Sequence, residues 1–262
     1  MADAQYEKID FLNPGFDLNS LEAKLKVILE EYTPNGEKLV AKAANLCYSG
    51  KSIDDLDESL TNEKQERIIT QVTGSGHLSV LEHISYSFLI DGISRACSHE
   101  LVRHRIASYS QQSQRYVNYA KNASAINFVV PPEISENPED KKFFLENCAN
   151  DYNEYVDLVN KGYFLEDARY LLPNAASTRI MVTMNARELL HFFELRTCER
   201  AQWEIRDMAK KMLKECYKTA PIIFETAGPE CISSYCTQGE LKCKRDISEI
   251  KKEFKALKGL KE

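Results

Sequence analysis

The sequence points to an α+β domain in which a small sheet carries helices. Three observations predict it. Amphipathic helical stretches dominate the chain, and the strand candidates at 84–91, 115–130 and 176–184 are separated irregularly, without the alternation of a parallel βαβ array. No GxGxxG follows a strand and no GxxxxGK precedes Ser or Thr, so neither a dinucleotide-binding half nor a P-loop is signalled. Any phosphate must then be held by side chains.

Taken in order, Lys8 to Leu12 reads as a short strand. Asp17 to Ser20 offers capping side chains ahead of LEAKLKVILEEY, whose apolar residues recur at helical spacing up to Thr33 and Pro34, so a helix is expected there. Amphipathic helices follow over 36–47 and 61–73, each closed by glycine or polar residues. GSGHLSVLEH is a glycine-bracketed loop. SYSFLIDGIS is aromatic and β-branched, hence a strand, and RACSHELVRHR should be a helix burying Ala96, His99 and Leu101. Its basic end would favour the helix dipole by ~0.3–1 kcal/mol per cation. A loop and strand start end near Tyr119. Pro131-Pro132 and Asn137-Pro138 precede a long helix over 139–160, and a shorter one over Leu165 to Leu171 is stopped by Pro173. STRIMVTMN reads as a strand. NARELLHFFELR has Leu189, Leu190, Phe193 and Leu195 on an apolar side with Arg187, His191 and Arg196 between, and AQWEIRDMAKKMLKECYKTA continues as a further amphipathic helix. The charged helical end KRDISEIKKEFKALKGLKE is expected at the periphery.

The 262 residues are 43% hydrophobic and 28% charged, ordinary for a globular chain that buries a sizeable core. A net charge of -6 argues against a bulk nucleic-acid binder, so no nucleic-acid partner is expected. The start MADAQYEKID has no apolar core of signal-peptide length, and no run approaches the roughly 18 apolar residues of a membrane span. We expect a cytoplasmic protein without membrane association. Eleven of the twelve arginines lie between Arg67 and Arg206, a span with four lysines. Guanidinium groups concentrated there imply geometric work that solvating lysines do not do.

That work centres on RHRIASYSQQSQRY, Arg103 to Tyr116, with three arginines, a histidine, three serines and three glutamines in fourteen residues. Arginine forks match phosphate bidentately and the neutral groups can orient it, so a phosphate-bearing ligand is expected. A basic run alone is usually a solvated face or a helix end. His77, Glu82 and His83 fit no zinc spacing, and His191 by default is a packed histidine. Cys231, Cys236 and Cys243 are three thiols with no nearby histidine, a poor zinc set, so they read as a redox-active or chance cluster and no metal is expected; Cys47, Cys97, Cys148, Cys198 and Cys216 read as scattered, packed, reduced thiols.

RHR, seven residues and then Ser resembles the signature of flavin-dependent thymidylate synthases. GHLSVLEH resembles the family's glycine-histidine loop, and LLP, STR, NAR, HFFELR and RAQWEIR stand in the family's order. The resemblance covers about residues 36–228. It implies a homotetramer of a single-domain α+β fold, with a small, mostly antiparallel sheet flanked by helices and active sites shared between subunits. Residues 1–228 would form that domain, and 229–262 a C-terminal extension with cysteines and a charged helix. FAD, reduced by NADPH, and 5,10-methylenetetrahydrofolate would serve the reductive methylation of dUMP to dTMP, with no cysteine nucleophile.

Carried over by residue, the resemblance implies FAD contacts from Arg103, His104, Arg105, Ser79, Asn185, Arg187 and His191, with Gln111 also on the cofactor side. His77 would lie close to the flavin. Gln111, Gln112, Ser113, Gln114 and Arg115 would hold dUMP, with Arg169 at its phosphate and Arg103 touching both ligands. Arg196 would lie against the pyrimidine and favour its ionisation, the catalytic role. The family usually has glutamine where this chain has Glu100, so the substrate contact there is altered. Two other readings are a nucleotide- or RNA-binding module without catalysis, and a flavoprotein that oxidises NADPH without transferring methyl.

Overall fold

The computed structural model describes residues 5–50, 52, 55, 60–121 and 126–259. Its sheet has four strands, β1 Lys26–Tyr32, β2 Ser85–Ser94, β3 Ala107–Gln111 and β4 Ser177–Asn185, in the order β1-β2-β4-β3. Thr33 N–H donates to Ser85 O at one end of the β1/β2 pair, while at the other Gly92 lies against the carbonyl of Lys24, so the two strands are antiparallel. The same reversal pairs β2 with β4, because Ala186 N–H donates to Ile84 O and Arg95 N–H to Ala176 O. The chain divides into two compact units, residues 1–26, 90–103 and 110–181, and residues 27–89, 104–109 and 182–262.

In the first unit a long helix, Pro138–Asn160, starts with Asn137 accepting from Glu139 and Asp140 N–H, Pro138 in its first turn and two acidic residues near the positive dipole end. It buries Leu145, Cys148, Ala149, Tyr152, Tyr155 and Val156 against Ile9, Leu21, Phe128 and Ala176. The expected strand at Lys8 to Leu12 is absent. Instead Asn153 bonds both Ile9 N–H (2.8 Å) and Ile9 O (3.0 Å), and Asn160 does the same for Tyr6, so two side chains satisfy the backbone a sheet would have paired.

The helix expected from LEAKLKVILEEY is a correction. Leu21 closes a 3-10 turn, Leu18–Leu21, and is buried in the first core, whereas Lys26–Tyr32 is the edge strand β1. The apparent helical period joined two elements, and pairing with β2 decided the second. The strand expected over 115–130 is also displaced: β3 ends at Gln111, Tyr119–Lys121 is a 3-10 turn, and Phe128 forms isolated bridges to Glu22 and Ala176. Residues 122–125 lie outside the described residues.

In the second unit α1 Gly36–Leu46 and α2 Asn62–Gly74 pack on each other, and Leu78–His83 of the glycine-bracketed segment forms a 3-10 helix. Tyr86, Phe193 and Phe224 meet edge to face at 5.6 and 6.0 Å. A helix over Arg95–Leu101, in the first unit, buries Cys97, Ser98 and Leu101, while the Ala96 and His99 expected inside are exposed. Likewise the helix Ala186–Arg196 buries Leu189, Phe192 and Phe193 and leaves Leu195 46% exposed. The C-terminal helix, Ile247–Leu257, is exposed along most of its length as expected, but buries Ile250 and Phe254, and Lys258 Nζ donates to Glu225 O.

Candidate active site

The first unit holds the residues expected to bind substrate, apart from Arg196. Gln111 donates through Nε2 to Ser98 Oγ (3.0 Å) and Thr178 Oγ1 (3.3 Å), which ties its amide to the scaffold. Ser113 Oγ accepts from Arg115 N–H at 3.1 Å, and Ser113 O accepts from Val117 N–H, so the serine sits in a turn with its hydroxyl hydrogen available as a donor. Gln112 N–H is anchored on Arg179 O, and Gln114 is half-buried.

Arg115 and Arg169 come together on one residue. Arg115 Nε donates to Glu166 Oε2 (2.9 Å) and Arg169 Nε to Glu166 O (3.2 Å). Arg95, to which no sequence motif drew attention, joins them: burial lowers its pKa, Tyr119 opposes that, and the neighbouring Arg169 lowers it further. The signal was available, since a cation in a helix's first turn opposes the dipole and needs an anion nearby. Arg103 is exposed after the helix Arg95–Leu101, its N–H bonded to Glu100 O, and Glu100 is half-buried.

The second unit holds Arg196 and, apart from Arg103 and Gln111, the residues expected at the cofactor. His77 opens the 3-10 helix with its ring 6.4 Å from that of Tyr48, in a T-shaped pair. Beside them is a cavity of about 220 Å³ lined also by Asn45, Gln71 and Ser75, in which Asn45 Nδ2 finds no hydrogen-bond partner among the described residues. Ser79, Arg105 and His191 are exposed, and Arg187 Nη1 pairs with Glu82 Oε1 at 2.5 Å. Asn185 Oδ1 caps the Ala186–Arg196 helix by accepting from Glu188 N–H at 2.9 Å.

His104 is only 6% exposed, and both its ring nitrogens are engaged: Nδ1 lies 3.2 Å from Glu188 Oε1, and Nε2 accepts from Arg196 Nε–H at 3.0 Å. Burial, then Arg196, then His191, hold its pKa down to about 4, so the ring is neutral near pH 7. Burial raises the Glu188 carboxyl in turn, with His191 pulling the other way. Tyr109 fixes the histidine backbone by donating to His104 O at 2.7 Å. Glu188 was missed because an acidic residue three after Asn185 reads as a helix cap.

Next to Arg196 a second cavity of about 340 Å³ is lined by Cys198, Cys231 and Cys236. The Cys231 thiol is raised by burial and by its neighbours Cys198, Cys236 and Cys243, so the three C-terminal thiols have a fourth companion that spacing alone did not reveal. Cys47 is exposed, against expectation, while Cys97, Cys148 and Cys216 are buried. Among the described residues no group of three or more His, Cys, Asp or Glu is arranged to hold a metal ion, and no helix is long and apolar enough to cross a membrane.

Compared with known proteins, the chain is 48% identical over 236 residues to the flavin-dependent thymidylate synthase of Geobacter sulfurreducens, covering 89% of this chain and 99% of that one. The chain belongs to the flavin-dependent thymidylate synthase family. The family model described as "thymidylate synthase complementing protein" matches residues 28–222. A flavin-dependent thymidylate synthase of Clostridium tetani is 42% identical over 244 residues, covering 87% of this chain and 96% of its own. The family fold extends to the crystal structure of a UMP/dUMP methylase, PolB, from Streptomyces cacaoi bound with 5-Br dUMP. It aligns with a TM-score of 0.69 and 25% identity over 78% of this chain and 94% of that one. The small sheet flanked by helices is therefore the family's architecture.

Proposed function

We propose that this flavin-dependent thymidylate synthase converts dUMP to dTMP, taking its one-carbon unit from 5,10-methylenetetrahydrofolate and its reducing equivalents from NADPH. The observation that carries the reading is the meeting of Arg115 and Arg169 on Glu166, with Arg95 close to Arg169, in a chain of net charge -6. Such a local positive cluster suits a nucleotide phosphate and not a nucleic-acid surface.

The residues present fit FAD. Arg105, Arg187, His191 and Ser79 offer exposed donors for an anionic flavin nucleotide, and Asn45 Nδ2 beside His77 is a buried donor still lacking an acceptor among the described residues. Bound there and reduced by NADPH, FAD would supply the hydride that completes the methyl group. Arg103, Gln111, Gln112, Ser113, Gln114 and Arg115 would orient dUMP, with Arg169 at its phosphate and Glu100 next to it. Arg196 would lie against the pyrimidine and stabilise the anion formed when the ring nitrogen loses its proton. No thiolate is needed. Burial pushes the Cys148 thiol up to about 12 and that of Cys216 well above the ordinary range, so these two are poor nucleophiles. Tyr116, Phe164 and Tyr170 are 80%, 76% and 83% exposed, surface that a homotetramer with shared active sites would cover.

The deciding measurement is the absorbance spectrum of the purified protein, followed on NADPH addition with and without dUMP. We expect flavin absorbance that bleaches with NADPH, and dTMP once methylenetetrahydrofolate is added. A colourless protein that takes up no added FAD would reject the reading. Ser113→Ala is expected to raise the KM for dUMP about tenfold, the cost of one hydrogen bond, with kcat largely kept. Steady-state kinetics check this, and a kcat abolished at saturating dUMP would instead make Ser113 a nucleophile.

A further inference from the structure

We propose that Glu188, acting through His104, is the positioning residue that holds the Arg196 guanidinium in its working plane. The inference rests on the proposed function, in which Arg196 faces the pyrimidine.

The geometry forces the proton arrangement. A guanidinium only donates, so His104 Nε2, 3.0 Å from Arg196 Nε, must present its lone pair. The neutral ring then carries its proton on Nδ1, and Glu188 Oε1 at 3.2 Å is the acceptor. Every link is held from outside the relay. Phe192 stands edge-on to the His104 ring at 4.9 Å, and Tyr109 secures the His104 carbonyl. Glu188 is itself fixed because its N–H caps onto Asn185.

A cap role alone does not account for the carboxylate. In a capping box the acidic side chain turns back to the N-cap backbone, but here its oxygen meets a buried imidazole. Burying a carboxylate and a histidine costs stability, and the raised Glu188 and lowered His104 pKa values record that cost. Binding Arg196 by Nε fixes the plane of its fork. A cation that must stabilise charge on one ring nitrogen gains from that restriction, since misplacing it by an ångström loses much of the effect.

The test uses the full-length flavin-loaded enzyme with Glu188→Gln, Glu188→Ala and Arg196→Ala. Glu188→Ala is expected to lower kcat for dTMP formation about 10²-fold with flavin content and the KM for dUMP nearly unchanged. Glu188→Gln keeps an acceptor for Nδ1–H and should recover to within about fivefold of the parent. Independently of turnover, selective ¹⁵N labelling of histidine should find His104 as the Nδ1–H tautomer in the parent and in Glu188→Gln. A folded Glu188→Ala with parental kcat, or a Gln variant as impaired as the Ala variant, would overturn the proposal. Should Glu188→Ala fail to fold, a proton found on Nε2 of His104 in the parent enzyme overturns it just as directly. Normal dTMP formation by Arg196→Ala would overturn the role of Arg196 itself, and the tautomer keeps the two failures apart.

Discussion

Arg196→Ala is expected to retain FAD and to lose dTMP formation by about 10²–10³-fold in kcat, the usual cost of removing one preorganised charge donor. Arg196 closes the Ala186–Arg196 helix and is half-buried, with Nε bound to a neutral histidine. That bond orients the guanidinium without cancelling its charge, as a carboxylate in the same place would. Removing the guanidinium takes away charge stabilisation without touching the exposed donors Ser79, Arg105 and His191 that we assign to the flavin. The check is flavin content by absorbance together with dTMP formation in single turnover. Parental turnover would mean that another group ionises the pyrimidine.

Gly92→Ala is expected to destabilise the protein by about 3 kcal/mol or more. Gly92 lies in β2 with φ +79°, a conformation that L residues rarely adopt, and a Cβ there would overlap the carbonyl oxygen of Lys24. Backbone cannot step aside as a flexible side chain can, so both terms add. Thermal or urea unfolding measures the effect. A variant as stable as the parent would show that the chain at 24 and 92 yields without loss. Gly76, with φ +74°, has open space around its missing Cβ and is expected to suffer only the conformational part, about 1 kcal/mol.

Much of this architecture could be read from local pattern. The helices over 36–46, 62–74 and 138–160 and the strands over 85–94 and 177–185 stand where periodicity and capping residues put them, because each signal lies within one element. The errors have the opposite character. In LEAKLKVILEEY the spacing of Leu21, Leu25 and Ile28 looked helical because two neighbouring elements happened to share a period, and only pairing with β2 distinguishes them. At Tyr6 and Ile9 the backbone's partners are Asn160 and Asn153, 154 and 144 residues away, beyond any window.

The candidate site divides in the same way. Arginine enrichment, the run Arg103 to Tyr116 and the ordered motifs up to Arg206 were sufficient in the sequence to indicate the family and a phosphate-bearing ligand, because chemistry of that kind depends on residue type and spacing. Tertiary structure alone decided who holds whom. It brought Arg115 and Arg169 to Glu166 and Arg95 close to Arg169, added Cys198 to the C-terminal thiols, and placed His104, buried, between Glu188 and Arg196. Those partners are separated by 51 residues in one case and by 84 and 92 in the others. Hydrogen bonds and buried charges act over a few ångströms, so only a folded chain can specify them.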